Sequence, residues 1–423
     1  MTYVLDVNDS GLALYRDGTL EYHAPAVAVV RQDEILFGQP ALRLSRIHPR
    51  ETNQQYFSRL NADPLPHPVA RASNHADLVY LHLQELRAIV EQNPADVVLA
   101  VPGILSSDQL AVLLGIAQEC GLTIGGFVDS AVVAATTSAL PASIYHIDTH
   151  LQRACITHLQ IEAGVRRKSA VEVAECGFAH LLDGWVNVIS DRFVRDTRFD
   201  PLHAAQTEQQ LYDQVFDWVT SEDVPAAEIA IEIKYGDHVH RAEFPRALLE
   251  DKAQRRFSKL RDGLPEDAHV VLSARSARLP GLEQFLARHG HEFTVLASDA
   301  LAQGCAANIS QICSPNGHLR LVSRLALTGL HEPQSSAAKP PGSAASVQQP
   351  ATRPTHALSN NVAIAISASS QQLPLNDTKA GVYLDVAENL LLNGNPTSER
   401  ARLNVGDEIS TGERVFVMIR VEA

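Results

Sequence analysis

The chain has 423 residues, enough for two or three domains at roughly 150 residues each. Hydrophobic residues make up 45% and charged residues 20%, so a sizeable core can be buried and disorder along the whole chain is excluded. Thirty-five Lys and Arg against 49 Asp and Glu give a net charge of −14, and aromatic content is 5%, which excludes a general phosphate-backbone binder or a base-stacking surface; no nucleic-acid partner is expected.

Tyr3-Val4-Leu5-Asp6-Val7 predicts a strand, Asn8-Asp9-Ser10-Gly11 a turn, and Leu12-Ala13-Leu14-Tyr15 the returning strand. Arg16-Asp17-Gly18-Thr19 carries the D-G signal of a second turn. Strands are expected around Ala26–Val30 and Glu34–Phe37. The apolar spacing of Leu78, Leu81, Leu83, Leu86, Ile89 and Val90 predicts a helix over Ala76–Gln92. Asp96–Pro102 reads as a buried strand. Ser107 and Asp108 are expected to cap a helix running to Cys120, with Gly121 stopping it. Leu122–Val128 predicts a strand and Ser130–Ser138 a helix of small residues.

The second half repeats this plan. Strands are expected at Ala142–Ile147, Cys155–Ile161 and Ser169–Ala174, then helices at Phe178–Arg195 and Glu208–Thr220. A hairpin over Glu228–His240 has Tyr235-Gly236-Asp237 at its tip. A helix over Arg246–Leu260, a buried strand His269–Ser273 and a helix Gly281–His289 follow. Two strand-rich halves that each close with helix, strand and helix imply a duplicated α/β fold. The expected division is residues 1–140, 141–330, a flexible Pro/Ala/Ser linker at 331–357, and a small all-β unit at 358–423.

Cys120, Cys155, Cys176, Cys305 and Cys313 form no C-x-x-C pair, which fits reduced, buried thiols of a cytoplasmic protein. His146, His150 and His158, like His238 and His240, lack cysteine or carboxylate partners at a metal spacing, so no metal centre is expected. No run approaches the roughly 18 apolar residues of a membrane span. The opening Met1–Asp6 has no cationic n-region, so no signal peptide and no membrane insertion are expected.

An ordered series of segments carries a family resemblance. It comprises Tyr3–Gly11; Ala24–Val29 with Leu36–Ala41 and Tyr56–Leu60; Val98–Pro102 leading to Gly121-Leu122; Phe127-Val128-Asp129-Ser130-Ala131; Tyr145–Thr157; Val270–Leu272 with Ser276-Ala277-Arg278-Leu279-Pro280; and Ala300–Ala306. In this order they resemble the actin-like ATPase superfamily, nearest the nucleotide-binding domain of the seventy-kilodalton heat-shock chaperones, over residues 1 to 313. The resemblance implies a duplicated, ribonuclease-H-like, two-lobed fold with two phosphate hairpins, two connecting segments and an adenosine segment.

It also implies where ATP or ADP with magnesium would contact the chain. Asp6, Asn8 and Ser10 fall on the first phosphate hairpin, Asp148 on the second, Asp129 on the first connecting segment, Ser276 and Arg278 on the adenosine segment, and Gly304 on the closing helix. Glycine-rich hairpins let backbone N–H groups cradle phosphates, and this chain departs from that pattern. Asn8 replaces a glycine, Ser58 the chaperone lysine, and His146 the second hairpin's aspartate. Asp148-Thr149-His150 replaces its glycine run, and Ala274-Arg275 the paired glycines of the adenosine segment. His146 and His150 read as hydrogen-bonded strand-end residues. The expectation is therefore a pseudo-ATPase that binds nucleotide weakly or not at all, has no catalytic residues, and scaffolds an unnamed protein partner. The alternative is a weak ATPase or small-molecule kinase of the same superfamily. In the C-terminal unit, the turns at Asn393-Gly394 and Gly406-Asp407 resemble the last third of forkhead-associated domains, which implies a β-sandwich used for protein contact.

Overall fold

The computed structural model describes residues 2–221, 227–313 and 319–327. Beyond these it describes 354, 356–359, 362–366, 373–378, 381–385, 390–392, 395–396, 400–403, 407–411 and 414–419. The chain divides into two compact units, Met1–Glu332 and Pro333–Ala423. Most of the expected linker, 331–353 and 355, lies outside the described residues, whereas His356 and Ala357 begin a strand.

The first unit is mixed α/β. Its main strands are β1 (Tyr3–Asp6), β2 (Leu12–Arg16), β3 (Thr19–Ala24), β4 (Val97–Val101), β5 (Ile124–Asp129), β6 (Ser143–Thr149), β7 (Arg153–Ile161), β8 (Gly164–Ala174), β9 (Val270–Leu272), β10 (Phe293–Val295), β11 (Leu321–Val322) and β12 (Arg324–Ala326). They form two six-stranded sheets, ordered β11-β5-β4-β1-β2-β3 and β10-β9-β6-β7-β8-β12. In the first, β1, β2 and β3 form an antiparallel meander, with β4 parallel to β1 and β5 parallel to β4. In the second, β6, β7 and β8 repeat the meander, with β9 parallel to β6 and β10 parallel to β9. Five strands of each sheet thus share one order and one set of directions. β4 and β9 are buried along their whole lengths, as unbroken Val/Leu/Ala runs require.

The sixth strand of each sheet comes from one short segment. Leu321-Val322 pairs in parallel with Phe127-Val128 of the first sheet, and Arg324–Ala326 pairs antiparallel with Gly164–Arg166 of the second. This segment follows residue 313, where the family-like pattern ends, and no strand is expected there from the sequence.

The helices include α1 (His75–Val90), α2 (Ser107–Glu119), α3 (Ser130–Ala135), α4 (Phe178–Thr197), α5 (Ala205–Thr220), α6 (Ala247–Phe257), α7 (Ala274–Ala277) and α8 (Ala300–Ala307), with others at Gly38–Leu42, Tyr56–Arg59, Leu282–Arg288 and Ile309–Ile312. The cap of α2 is Ser106, not Ser107 or Asp108. Its hydroxyl accepts from the Gln109 amide at 3.2 Å while Gln109 Oε1 accepts from the Ser106 amide at 3.1 Å. Gly121, at φ +77°, ends the helix as expected.

Three apolar cores result. One joins the first sheet to α1 and α2. A second joins the other sheet to α4, α5 and α6, and takes in Val27, Val29, Ala41 and Leu42 from the first half. A third lies around α3 and α8 and uses Val4, Val98, Ile144 and Val271 from both sheets. No helix among the described residues is long and apolar enough to cross a membrane.

The second unit is all-β. A six-stranded and a three-stranded sheet share a core that includes Val382, Leu384 and Leu403 from the smaller sheet and Ile409, Phe416 and Met418 from the larger. The Asn393-Gly394 turn and residues 404–406 of the second forkhead-associated-like turn lie outside the described residues.

Candidate functional site

Two turns face each other at the ends of the central strands. One, Val7–Gly11, joins β1 to β2; the other, His150–Gln152, joins β6 to β7. Parallel strands β4 and β9 fix the positions of β1 and β6, so each turn leaves its sheet at the same relative place.

The two turns are bonded directly to each other. Asn8 Nδ2 donates to Asp148 Oδ2 at 2.9 Å and to the Thr149 carbonyl at 3.2 Å. Ser10 Oγ donates to the same carbonyl at 2.8 Å. Asp9 Oδ1 accepts from the Leu151 amide at 2.7 Å and lies 3.3 Å from His150 Nδ1. Four further amides at the turns also have protein acceptors. Ser10 N donates to Asn8 Oδ1, Gly11 N to the Asn8 carbonyl, Thr149 N to Ser276 Oγ, and His150 N to the Arg153 carbonyl.

Arg275 fills the space between the carboxylates. It leaves α7 and donates through Nη2 to Asp6 Oδ2 and through Nη1 to the Gly11 carbonyl at 3.2 Å; its Nε lies 3.5 Å from Asp148 Oδ1. Ser273, the cap of α7, donates to Asp148 Oδ1 at 2.6 Å. Burial works against a charge on Asp148, but Arg275, His150, His146 and the Ser273 hydroxyl outweigh it and lower its carboxyl from 3.8 to about 2. At Asp6 burial is the larger influence and raises the carboxyl above its ordinary value, with Arg275 opposing it and the Asp148 charge adding to it. Burial likewise opposes the guanidinium charge, yet Asp6 and Asp148 prevail and raise Arg275. Burial also opposes the charge on Asp9, and the His150 ring with the Leu151 amide holds that carboxyl below its usual value.

Beside Arg275 opens a cleft of about 300 Å³, lined among others by Tyr15, Ser130, His146, Arg278 and Asp299. His146 is buried, and burial pulls its ring below the usual imidazole range. Among the described residues its Nε2 has no hydrogen-bond partner, and neither has Nε2 of His150; of the two histidines expected to be hydrogen-bonded at strand ends, His150 meets Asp9 through Nδ1.

Of the residues expected to contact nucleotide, Asp6, Asn8, Ser10, Asp148 and Ser276 do come together, but with their side chains turned on one another. Ser276 is fully buried, its hydroxyl shared with Thr149 and Ser273. Arg278 lines the cleft. Asp129 and Gly304 stand elsewhere. Asp129 caps α3 through the Ala131 and Val132 amides and pairs with Arg167 Nη1 at 2.6 Å. Gly304 lies where α8 crosses α3, and a Cβ there would fall 2.3 Å from the Val133 carbonyl oxygen. Gly304→Ala is therefore expected to cost about 1–3 kcal/mol by overpacking, seen as a lower midpoint in a urea melt.

Sequence reasoning did not assign Arg275, Asp9, Thr149 or Ser273 to the site. The available signal was the Ala274-Arg275 pair in place of two glycines, next to two facing carboxylates that need a counter-charge.

A magnesium nucleotide does not fit these residues. A guanidinium stands between the two carboxylates, and five of the amides that could cradle phosphates, those of Ser10, Gly11, Thr149, His150 and Leu151, are spent on Asn8, Asp9, Ser276 and backbone carbonyls. No protein-family model matches the chain, and no curated protein matches it.

Proposed function

We propose that this chain is a binding or scaffold protein built on a degenerate actin-like, ribonuclease-H-like two-lobed fold, nearest the nucleotide-binding domain of the seventy-kilodalton heat-shock chaperones. It acts through protein contacts in the cytoplasm and not through phosphoryl transfer. The shared order and direction of five strands in each sheet support the fold assignment. The observation that carries the functional reading is Arg275 paired with Asp6 and Asp148 between two turns that are bonded together. Phosphoryl transfer needs a metal, a positioned water and close backbone approach at once. The β-sandwich, with its likeness to forkhead-associated domains, supplies a second protein-contact surface.

Titration calorimetry of the full chain with ATP or ADP, with and without magnesium, should give no heat of binding in the micromolar range. Steady-state hydrolysis should stay at background. Turnover that vanishes in Asp6→Ala would overturn this reading in favour of a weak ATPase or small-molecule kinase.

A further inference from the structure

We infer that Arg275 is a built-in counter-cation that latches the two halves of the first unit together, so that closure of the cleft needs neither metal nor nucleotide. The inference rests on the non-hydrolytic reading above and goes on to name what holds the cleft shut in its place.

The contacts of Arg275 cross between the halves. Asp6 lies on the first sheet and Gly11 on the turn that leaves it, while Asp148 lies on the second sheet and Arg275 on α7, which follows β9 of that sheet. Asn8 to Asp148 and Asp9 to Leu151 cross in the other direction. These bonds exist only while the turns face each other, so each stabilises the closed arrangement over any open one. Removing the cation by substitution would leave Asp6 and Asp148 buried and uncompensated in the closed arrangement, a cost far larger than the pair's net favourable contribution.

The same device recurs away from the turns. Arg167 of β8 reaches Asp129 at 2.6 Å and the Gly103 carbonyl at 3.1 Å, both in the first half. Arg43 of the first half meets Asp217 at 2.7 Å and Asp213 at 3.3 Å on α5. Arg46 pairs with Asp183 on α4 and lies 4.1 Å over the Tyr212 ring. Gln209 bonds the Leu42 carbonyl and the Arg46 amide. The 321–326 segment then adds a strand to each sheet. Arginine suits this role because it keeps its charge when buried and offers several donors in a fixed plane, one for each oxygen it must hold.

Hydrogen exchange by mass spectrometry on the full chain tests the latch, following peptides that cover residues 3–15 and 143–155. In the wild type, exchange at both turns should be slow and unchanged by magnesium or magnesium-ATP. Arg275→Ala should speed it at both turns by at least about tenfold, with Arg275→Lys in between. If Arg275→Ala is insoluble, the near-isosteric Asp148→Asn serves instead and should speed exchange at the 3–15 turn. Wild-type exchange rates in whichever of these variants is measured would overturn the latch and leave the non-hydrolytic reading standing. Protection of the wild type by magnesium-ATP would instead overturn that reading.

Discussion

Asp129→Ala is expected to lower the unfolding free energy by about 3–5 kcal/mol, the range for removing one partner of a buried ion pair. Asp129 is fully buried, and it does two jobs with its two oxygens. Oδ2 accepts from Arg167 Nη1 at 2.6 Å, and Oδ1 accepts from the Ala131 and Val132 amides at the start of α3. Burial raises its carboxyl despite Arg167 and those amides, which shows how strongly this position resists an uncompensated charge. Alanine leaves the Arg167 guanidinium with the Gly103 carbonyl alone and strips α3 of its cap, the latter worth about 1 kcal/mol. Asp129→Asn keeps an oxygen for the cap but no charge, so it should lose less than alanine does. Urea melts of wild type and both variants make the comparison. A loss under about 1 kcal/mol for alanine would mean that Arg167 finds another partner and that Asp129 is not a joint between the halves.

The parts of this fold that were legible in the sequence are those whose pattern is set by burial on both faces. Val97–Val101 and Val270–Leu272 are continuous apolar runs, and the strands sit where the runs are. Thr19–Ala24 was not expected as a strand. It is the outer strand of its sheet and mostly exposed, so its sequence, TLEYHA, has no burial pattern to show. Leu321-Val322 and Arg324–Ala326 are too short for any periodicity, and only pairing with strands far away in the chain makes them strands.

The site divides in the same way. The family resemblance implied that Asp6, Asn8, Ser10, Asp148 and Ser276 lie near one another, but it could not say which way side chains point. Asp129 therefore reads as a cleft residue and in fact turns inward to α3 and Arg167. Arg275 could be seen only as an arginine where glycine was expected. Its partner Asp6 is 269 residues away, and nothing short of the fold brings them into contact.

Acid should destabilise this protein by about 3 kcal/mol between pH 7 and pH 4 from His82 alone. His82 lies on α1 with no exposed surface. Its ring stacks on Phe37 at 4.9 Å and stands between two hydroxyls, Tyr22 at 2.8 Å from Nε2 and Tyr56 at 2.9 Å from Nδ1. A neutral imidazole has one donor and one acceptor, so one tyrosine donates to it and the other accepts. Protonation would make both nitrogens donors and put a charge among aromatic rings. Burial accordingly lowers the ring from 6.5 to about 3. The unfolded chain takes up this proton below pH 6.5, while the folded chain refuses it until about pH 3. The stabilisation is therefore complete above pH 6.5 and is lost as pH falls toward 3. Asp148 acts in the same direction but only between about 3.8 and 2, so the two windows are separable. His82→Gln keeps a donor and an acceptor without a titrating group. It should cost stability at pH 7 but flatten the slope of urea midpoint against pH between 6.5 and 4. An unchanged slope in that variant would place the acid sensitivity outside the Tyr22–His82–Tyr56 cluster.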